Sequence, residues 1–254
     1  MSPAKLLSHL QPLVGTVVLL AVWWLVSALN IVDPILLPSP WAAIHSFATD
    51  LFGGTLWTDF WRTIVRTSWS FALATVVAVP LGILLGASER VYRSVEFLID
   101  FFRSTPASAL FPLFLVLFGT GELSKIAVAA FGAALAILFN VAYGVINARK
   151  TRQLAARVMG ASPLRVMIDV TLWESMPQTF VGMRSGISIA LVIVIVAEMF
   201  IGSTDGLGQR IMNAQMIFDM PRMYAAILAA GLLGYALNLM FLFVERRLVH
   251  WAGK

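Results

Sequence analysis

The residues of this chain that could do chemistry are few and scattered. Cysteine is absent and the three histidines, His9, His45 and His250, stand far apart, so neither thiolate chemistry nor a clustered metal site is indicated. No His-Glu-x-x-His or Gly-x-Ser-x-Gly string occurs, which leaves an intramembrane enzyme without a catalytic constellation. A phosphate loop is missing too: the nearest string, Gly119-Thr120-Gly121-Glu122-Leu123-Ser124-Lys125, lacks the Gly-Lys pair. What remains is a handful of polar groups embedded in apolar runs. Ser104, Thr105 and Ser108 flank Pro106, with Pro112 following, and a helix broken by proline in a transport protein often faces a cavity. With Asn140 and Glu198 they are the candidates for a solute path. Asn140 also suits hydrogen bonding between helices. Glu198 is the one acid deep in an apolar run, where an unpaired carboxylate is costly; it either faces a path or pairs with an arginine at a helix junction.

The elements that must hold these residues are membrane spans. Of 254 residues, 59% are hydrophobic and only 12% charged, with a mean hydropathy of +0.87, against roughly a quarter charged in soluble domains. Lipid is the solvent such a surface requires. The net charge of +5 is sorted by loop, which speaks for topology and against nucleic acid. A first apolar run covers about 12–30, retained as a span because no small-x-small cleavage site follows. Further spans are expected over about 64–87, 106–119, 123–147, 180–201 and 223–244. Lys and Arg alternate along the loops as rich, empty, rich, poor, richest, poor and rich. By the positive-inside rule this gives an all-α membrane protein of six transmembrane helices with both termini cytoplasmic. It divides as 1–60 (first span and external loop), 61–245 (main domain) and 246–254 (tail). Arg62 and Arg66 interrupt the pattern near an external end, either snorkelling or starting an interfacial helix. Gly82 and Gly86, Gly182 and Gly186, and Gly231 and Gly234 permit close helix approach.

The most distinctive stretch is the basic cytoplasmic loop from Asn147 to Arg184. Leu154 to Met159 suits a short helix, Gly160 a left-handed stop, and Ser162-Pro163 the cap and first turn of a second helix. The pair, over about 154–172, predicts a compact knob with an apolar face of Val158, Met159, Val166 and Met167, rimmed by Arg157 and Arg165.

This loop resembles the cytoplasmic motif of bacterial ABC importer permeases: Glu-Ala-Ala, three residues, Gly, nine residues, Ile, any residue, Leu-Pro. Ala155-Ala156, Arg157, Gly160-Ala161-Ser162, Leu172 and Pro177 stand where the motif puts them, while Leu154 replaces the acid and Trp173 the proline. Leu36-Leu37-Pro38-Ser39-Pro40, Arg103-Ser104-Thr105-Pro106, Phe111-Pro112-Leu113, Phe118 to Lys125, and Ala197-Glu198-Met199-Phe200 through Gly206-Leu207-Gly208 are similar to the branch importing nitrate, bicarbonate, taurine and alkanesulfonates. The resemblance implies a type I importer permease fold in the bacterial inner membrane and a small, anionic solute. It implies a second permease copy, two cytoplasmic ATPase subunits that carry ATP and Mg, and an external binding protein; the chain itself would hold no cofactor or metal. The residues implied in ATPase coupling are Ala155, Ala156, Arg157, Val158, Met159, Gly160, Ala161, Ser162, Arg165, Val166 and Met167. In an anion importer a path carboxylate gains little, which favours an arginine partner for Glu198. A secondary transporter is the main rival, and Glu198 is nearly its only candidate for ion coupling.

Overall fold

The computed structural model describes residues 3–249; of the expected tail only the first part is therefore seen, and His250 and Lys254 lie outside the described residues. The described chain is helical throughout. Helix α1 spans Pro3–Ala28, α2 Pro40–Phe52 and α3 Thr55–Gly86. Helix α4, Glu89–Ser104, leads to a 3₁₀ turn, Ala107–Leu110, and α5, Phe111–Phe118. Helix α6 is Glu122–Ile146, α7 Lys150–Val158 and α8 Pro163–Arg165, which runs through a π-helical turn, Val166–Thr171, into α9, Leu172–Phe200. Helices α10, Leu207–Met216, and α11, Met220–Leu248, complete it.

Four helices are long and apolar enough to cross a membrane: Thr55–Gly86, Glu122–Ile146, Pro163–Phe200 and Met220–Leu248. They correspond to four of the expected spans, and all but Glu122–Ile146 are longer than the apolar stretch expected. The third expected span, 106–119, is different. Its four-residue 3₁₀ turn and eight-residue α5 reach only about 18 Å, short of a hydrocarbon core about 30 Å thick. A crossing here requires α4 as well, and α4 meets this segment at a bend of 87°. The cause is local: Thr105 and Pro106 are extended, with ψ of 122° and 121°, as expected at and before a proline that cannot continue a helix. The first expected span is represented by the apolar stretch Val14–Ala28 of α1, which is shorter than the other crossings. The external segment after it is structured: Ser39 caps α2 by accepting a hydrogen bond from the Ala42 amide, with Pro40 in the first turn.

Helix α6 is the centre of the bundle, sandwiched between α3 and α9. Side chains at the seams are small: Ala74, Ala78, Ala130, Ala133 and Ala190 surround Ile137 and Val141. A β-carbon on Gly82 would lie 2.7 Å from the Val141 β-carbon, and one on Gly186 2.6 Å from Ile137. Without a hydrophobic drive between helices in lipid, such close backbone approach supplies the dispersion contact that holds spans together. Gly86 and Gly182 act alike, against Val145 and Asn140, whereas a β-carbon on Gly231 would meet nothing within 4 Å, so that glycine serves no helix contact within the chain.

Candidate functional site

Three polar features stand out against this apolar frame. The first is a cavity of about 660 Å³ at the bend between α4 and the 3₁₀ turn. Arg103, Thr105, Pro106 and Ser108 form one wall, Ala136, Phe139 and Asn140 of α6 another, and Ile189, Val192, Ile193 and Val196 of α9 the third. Four of the six residues singled out for a path, Thr105, Pro106, Ser108 and Asn140, are thus brought together. Ser104 and Glu198 are not part of the lining. Asn140 is held in place from both ends: its Nδ2 donates to the Ala136 carbonyl at 2.8 Å and its Oδ1 accepts from Gln178 Nε2 of α9 at 2.7 Å. It is therefore a bridge between helices, and one of its amide hydrogens has no partner among the described residues. The Thr105 hydroxyl donates to the Phe101 carbonyl at 2.9 Å, healing the helix end left by the break.

The second feature explains Glu198. Its carboxylate is fully buried and accepts from Arg66 Nη1 at 2.8 Å, from the Thr63 hydroxyl at 3.0 Å and from the Gly208 amide at 2.9 Å. Arg66, 3% exposed, uses all five guanidinium hydrogens. Nε and Nη2 clasp Glu122 at 2.6 and 2.8 Å, Nη1 adds the Asp205 carbonyl at 2.8 Å, and Nη2 the Asp205 carboxylate at 2.5 Å. One side chain thereby ties the ends of α3, α6 and α9 to the segment before α10. Arg66 is neither snorkelling nor interfacial; the partners that neutralise it come from 56 to 139 residues away. Arg62 is exposed and pairs with Asp205 at 3.3 Å. The close fit also accounts for Gly206 and Gly208: a β-carbon on the first would come within 2.4 Å of Glu198, and on the second within 2.1 Å of the Ile195 carbonyl, while Gly206 has a φ of +116°. Nearby, Arg210 of α10 bridges Asp50 and Asp59 at 2.5 and 3.1 Å. Burial works against its charge, but the hydrogen bonds it donates to the Asp50 and Asp59 carboxylates outweigh this and raise its pKa above the ordinary arginine value.

The third feature is the knob. Helix α7 ends where Gly160 takes a φ of +87°, and the Ala161 amide closes back on the Ala156 carbonyl at 3.0 Å, the stop expected of a C-terminal glycine. The Ser162 hydroxyl then accepts from the Arg165 amide at 3.4 Å, with Pro163 at the first helical position. Val158 and Met159 at the tip are 88% and 86% exposed, and Leu154 and Leu164 extend this apolar crown. Val166, expected on the same face, is instead 4% exposed and turned into the protein, and Met167 is half-buried beside it. Val166 opens the π-helical turn Val166–Thr171, where its carbonyl accepts from the Thr171 hydroxyl at 3.2 Å, so its side chain belongs to the knob's root rather than to the tip. Arg152 and Arg149 both pair with Glu174 of α9, and Gln153 Nε2 donates to the Thr171 hydroxyl at 3.2 Å, so the knob is braced against the long helix behind it.

The family model for binding-protein-dependent transport system inner membrane components matches residues 78–250, which include the broken span, the knob and Glu198, though not its partners Thr63 and Arg66. The chain belongs to that family. It is 31% identical over 229 residues to a probable ABC transporter permease protein of Brucella melitensis, covering 90% of this chain and 92% of that one. It is 29% identical over 247 residues to the taurine transport system permease protein of Escherichia coli, covering 95% and 90%. The fold is that of the permease chain in an inward-facing structure of the MetNI methionine ABC transporter, with a TM-score of 0.67 and 23% identity over 76% of this chain and 97% of that one. This permease is accordingly the multi-pass, membrane-spanning subunit of an ABC importer of the bacterial inner membrane, a family that works with ATPase and binding-protein partners.

Two arginines of these features are not among the site residues expected from sequence: Arg66 stands there as a break in the charge pattern, and Arg103 as part of a family fragment. The signal for Arg66 was available: a basic residue in an apolar run needs a carboxylate, and Glu198 was the one on offer.

Proposed function

We propose that two copies of this permease pair in the membrane with their cavities facing, and that they pass a small solute with an anionic sulfonate head, of the taurine or alkanesulfonate kind. The observation that carries the reading is the exposed apolar crown on a braced knob. Val158 and Met159 leave large apolar surface in water at the end of a rigid lever, which is what a permanent protein partner covers. Each knob docks into a groove on a cytoplasmic ATPase subunit, with Ala155 to Ser162 forming the tip and Arg157 and Arg165 meeting carboxylates on its rim. Val166 and Met167 contribute from behind, by packing the knob's root. ATP and Mg are held by the ATPase, so the permease itself carries out no chemistry. Six spans with both termini cytoplasmic fit this arrangement, with α1 and the bent α4–α5 pair as the two crossings beyond the four long helices. The path runs past Thr105, Pro106, Ser108 and Asn140. Anionic cargo is supported by the likeness to a taurine permease and by the absence of any carboxylate from the cavity wall. Glu198 is buried and held by Arg66, Thr63 and the Gly208 amide, which suits a fixed structural tie rather than a carrier of a coupling proton or sodium ion.

The test is reconstitution of the permease, its ATPase and its binding protein in liposomes. ATP-dependent accumulation of radiolabelled taurine or methanesulfonate, lost when the ATPase is omitted, is the expected result. Accumulation driven by an ion gradient without ATP would refute the reading.

A further inference from the structure

The cavity at the broken span contains one charge and it is unopposed. Arg103 closes the last turn of α4, where the helix dipole favours a cation, but its guanidinium turns across to α6 and sits 4.3 Å from the centroid of the Phe139 ring. Among the described residues no carboxylate comes within ion-pair distance of it, in contrast to Arg66 and Arg210, which are enclosed by acids. An aromatic face holds a cation in place without neutralising it, since the ring offers a quadrupole rather than a charge. The surrounding wall is apolar, with Ala136, Val192, Ile193 and Val196, so it offers the guanidinium no neutralising partner. Beside it the Ser108 hydroxyl has no hydrogen-bond partner among the described residues, and Asn140 keeps one amide hydrogen.

We propose that Arg103, steadied by Phe139, is the group that recognises the anionic head of the solute in transit, with Ser108 and Asn140 as neutral donors. This rests on the importer reading above and deepens it. The chemistry fits a sulfonate or a comparable oxyanion: several acceptor oxygens, matched by a planar fork of donors that can engage two of them together. The site is also suitably weak. A neutral alcohol and one amide hydrogen add little to a single partly exposed cation, so the anion is attracted into the path and released from it, as conduction demands. A carboxylate beside Arg103 would cancel this attraction, and the wall has none.

The absence of native cysteine permits a test in which charge alone is changed. In the reconstituted full complex, Arg103→Cys should lower ATP-dependent taurine uptake about tenfold, the scale of one lost charge-assisted hydrogen bond. Treating that variant with 2-aminoethyl methanethiosulfonate restores a cation and should recover at least about a third of the uptake, whereas the anionic 2-sulfonatoethyl reagent should recover none. Wild-type complex treated in parallel corrects for cysteines in the partners. Equal effects of the two reagents, or undiminished uptake by Arg103→Cys, would overturn the assignment while leaving the importer reading intact. A wild-type complex that imports neither taurine nor methanesulfonate would overturn the anion reading, and this proposal with it.

Discussion

Arg66 and Arg103 show how the same residue type is given opposite tasks by its neighbours. At Arg66 every donor is occupied and the charge is cancelled, so its role is to hold three helix ends and a loop in one arrangement. Removing one partner from such a buried pair leaves an uncompensated charge, which costs about 3–5 kcal/mol. Glu198→Gln and Arg66→Gln should therefore each lower the thermal unfolding midpoint of the detergent-solubilised permease sharply, as followed by loss of monodisperse protein on heating. The double variant should be less damaged than the two separate losses added together, because neither charge is then left alone; strict additivity would show that the pair is not coupled. Gly208→Ala should act through the same cluster, since the new methyl group would have to displace the Ile195 carbonyl. The sequence made half of this visible. An acid in an apolar run had to find an arginine, but nothing local identified Arg66, because the partner lies 132 residues earlier and is brought near only by the packing of α3 on α6 and α9. Arg103 was hidden for another reason: next to a basic cytoplasmic loop it looks like one more topology signal, and only the packing of α4 on α6 sets it beside Phe139.

Among the elements, those governed by local rules were legible and those governed by neighbours were not. The stop at Gly160 and the restart at Ser162-Pro163 follow from backbone preferences of single residues, and they fall where expected. The inward position of Val166 depends on how the knob's root packs on the helices behind it, and no local pattern in the sequence marks that. The docking surface is accordingly the tip, Val158, Met159 and Leu164, rather than the whole apolar stripe. Met159→Glu should weaken ATPase retention during gentle solubilisation by about tenfold or more, because a charge would be desolvated at the centre of the contact. Val166→Ala should leave ATPase retention near normal and cost stability instead, through a small cavity at the knob's root. Gly160→Pro should fail on both counts, since proline cannot adopt a positive φ. Quantifying co-purified ATPase alongside the thermal midpoint separates these outcomes; retention lost equally in Met159→Glu and Val166→Ala would mean that the tip is not the docking surface.

For the whole molecule, the decisive geometry is the open side of the cavity. Arg103 and Ser108 are exposed in the single chain, so the space that would admit solute is also open to whatever lies beside it. Lipid there would leave a charged, hydroxyl-lined cavity facing hydrocarbon, which is costly. A second copy related by a two-fold axis would close the path with a matching wall, and in such an isologous contact residues near the axis face their own counterparts. Ser108, on the 3₁₀ turn at the cavity's edge, is the residue best placed to do so. With no cysteine elsewhere in the chain, Ser108→Cys should form an intermolecular disulfide in membranes under mild oxidation, giving a product of twice the 27.8 kDa mass. Val18→Cys, on the exposed face of α1, should not. The yield should also change when ATP is trapped on the ATPase subunits, because a disulfide requires α-carbons within about 7 Å, and drawing the knobs together rotates the walls of the path. Cross-linking at Val18 and none at Ser108 in any nucleotide state would place the contact between copies on the other side of the bundle, and the cavity would then have to be closed by something other than its own twin.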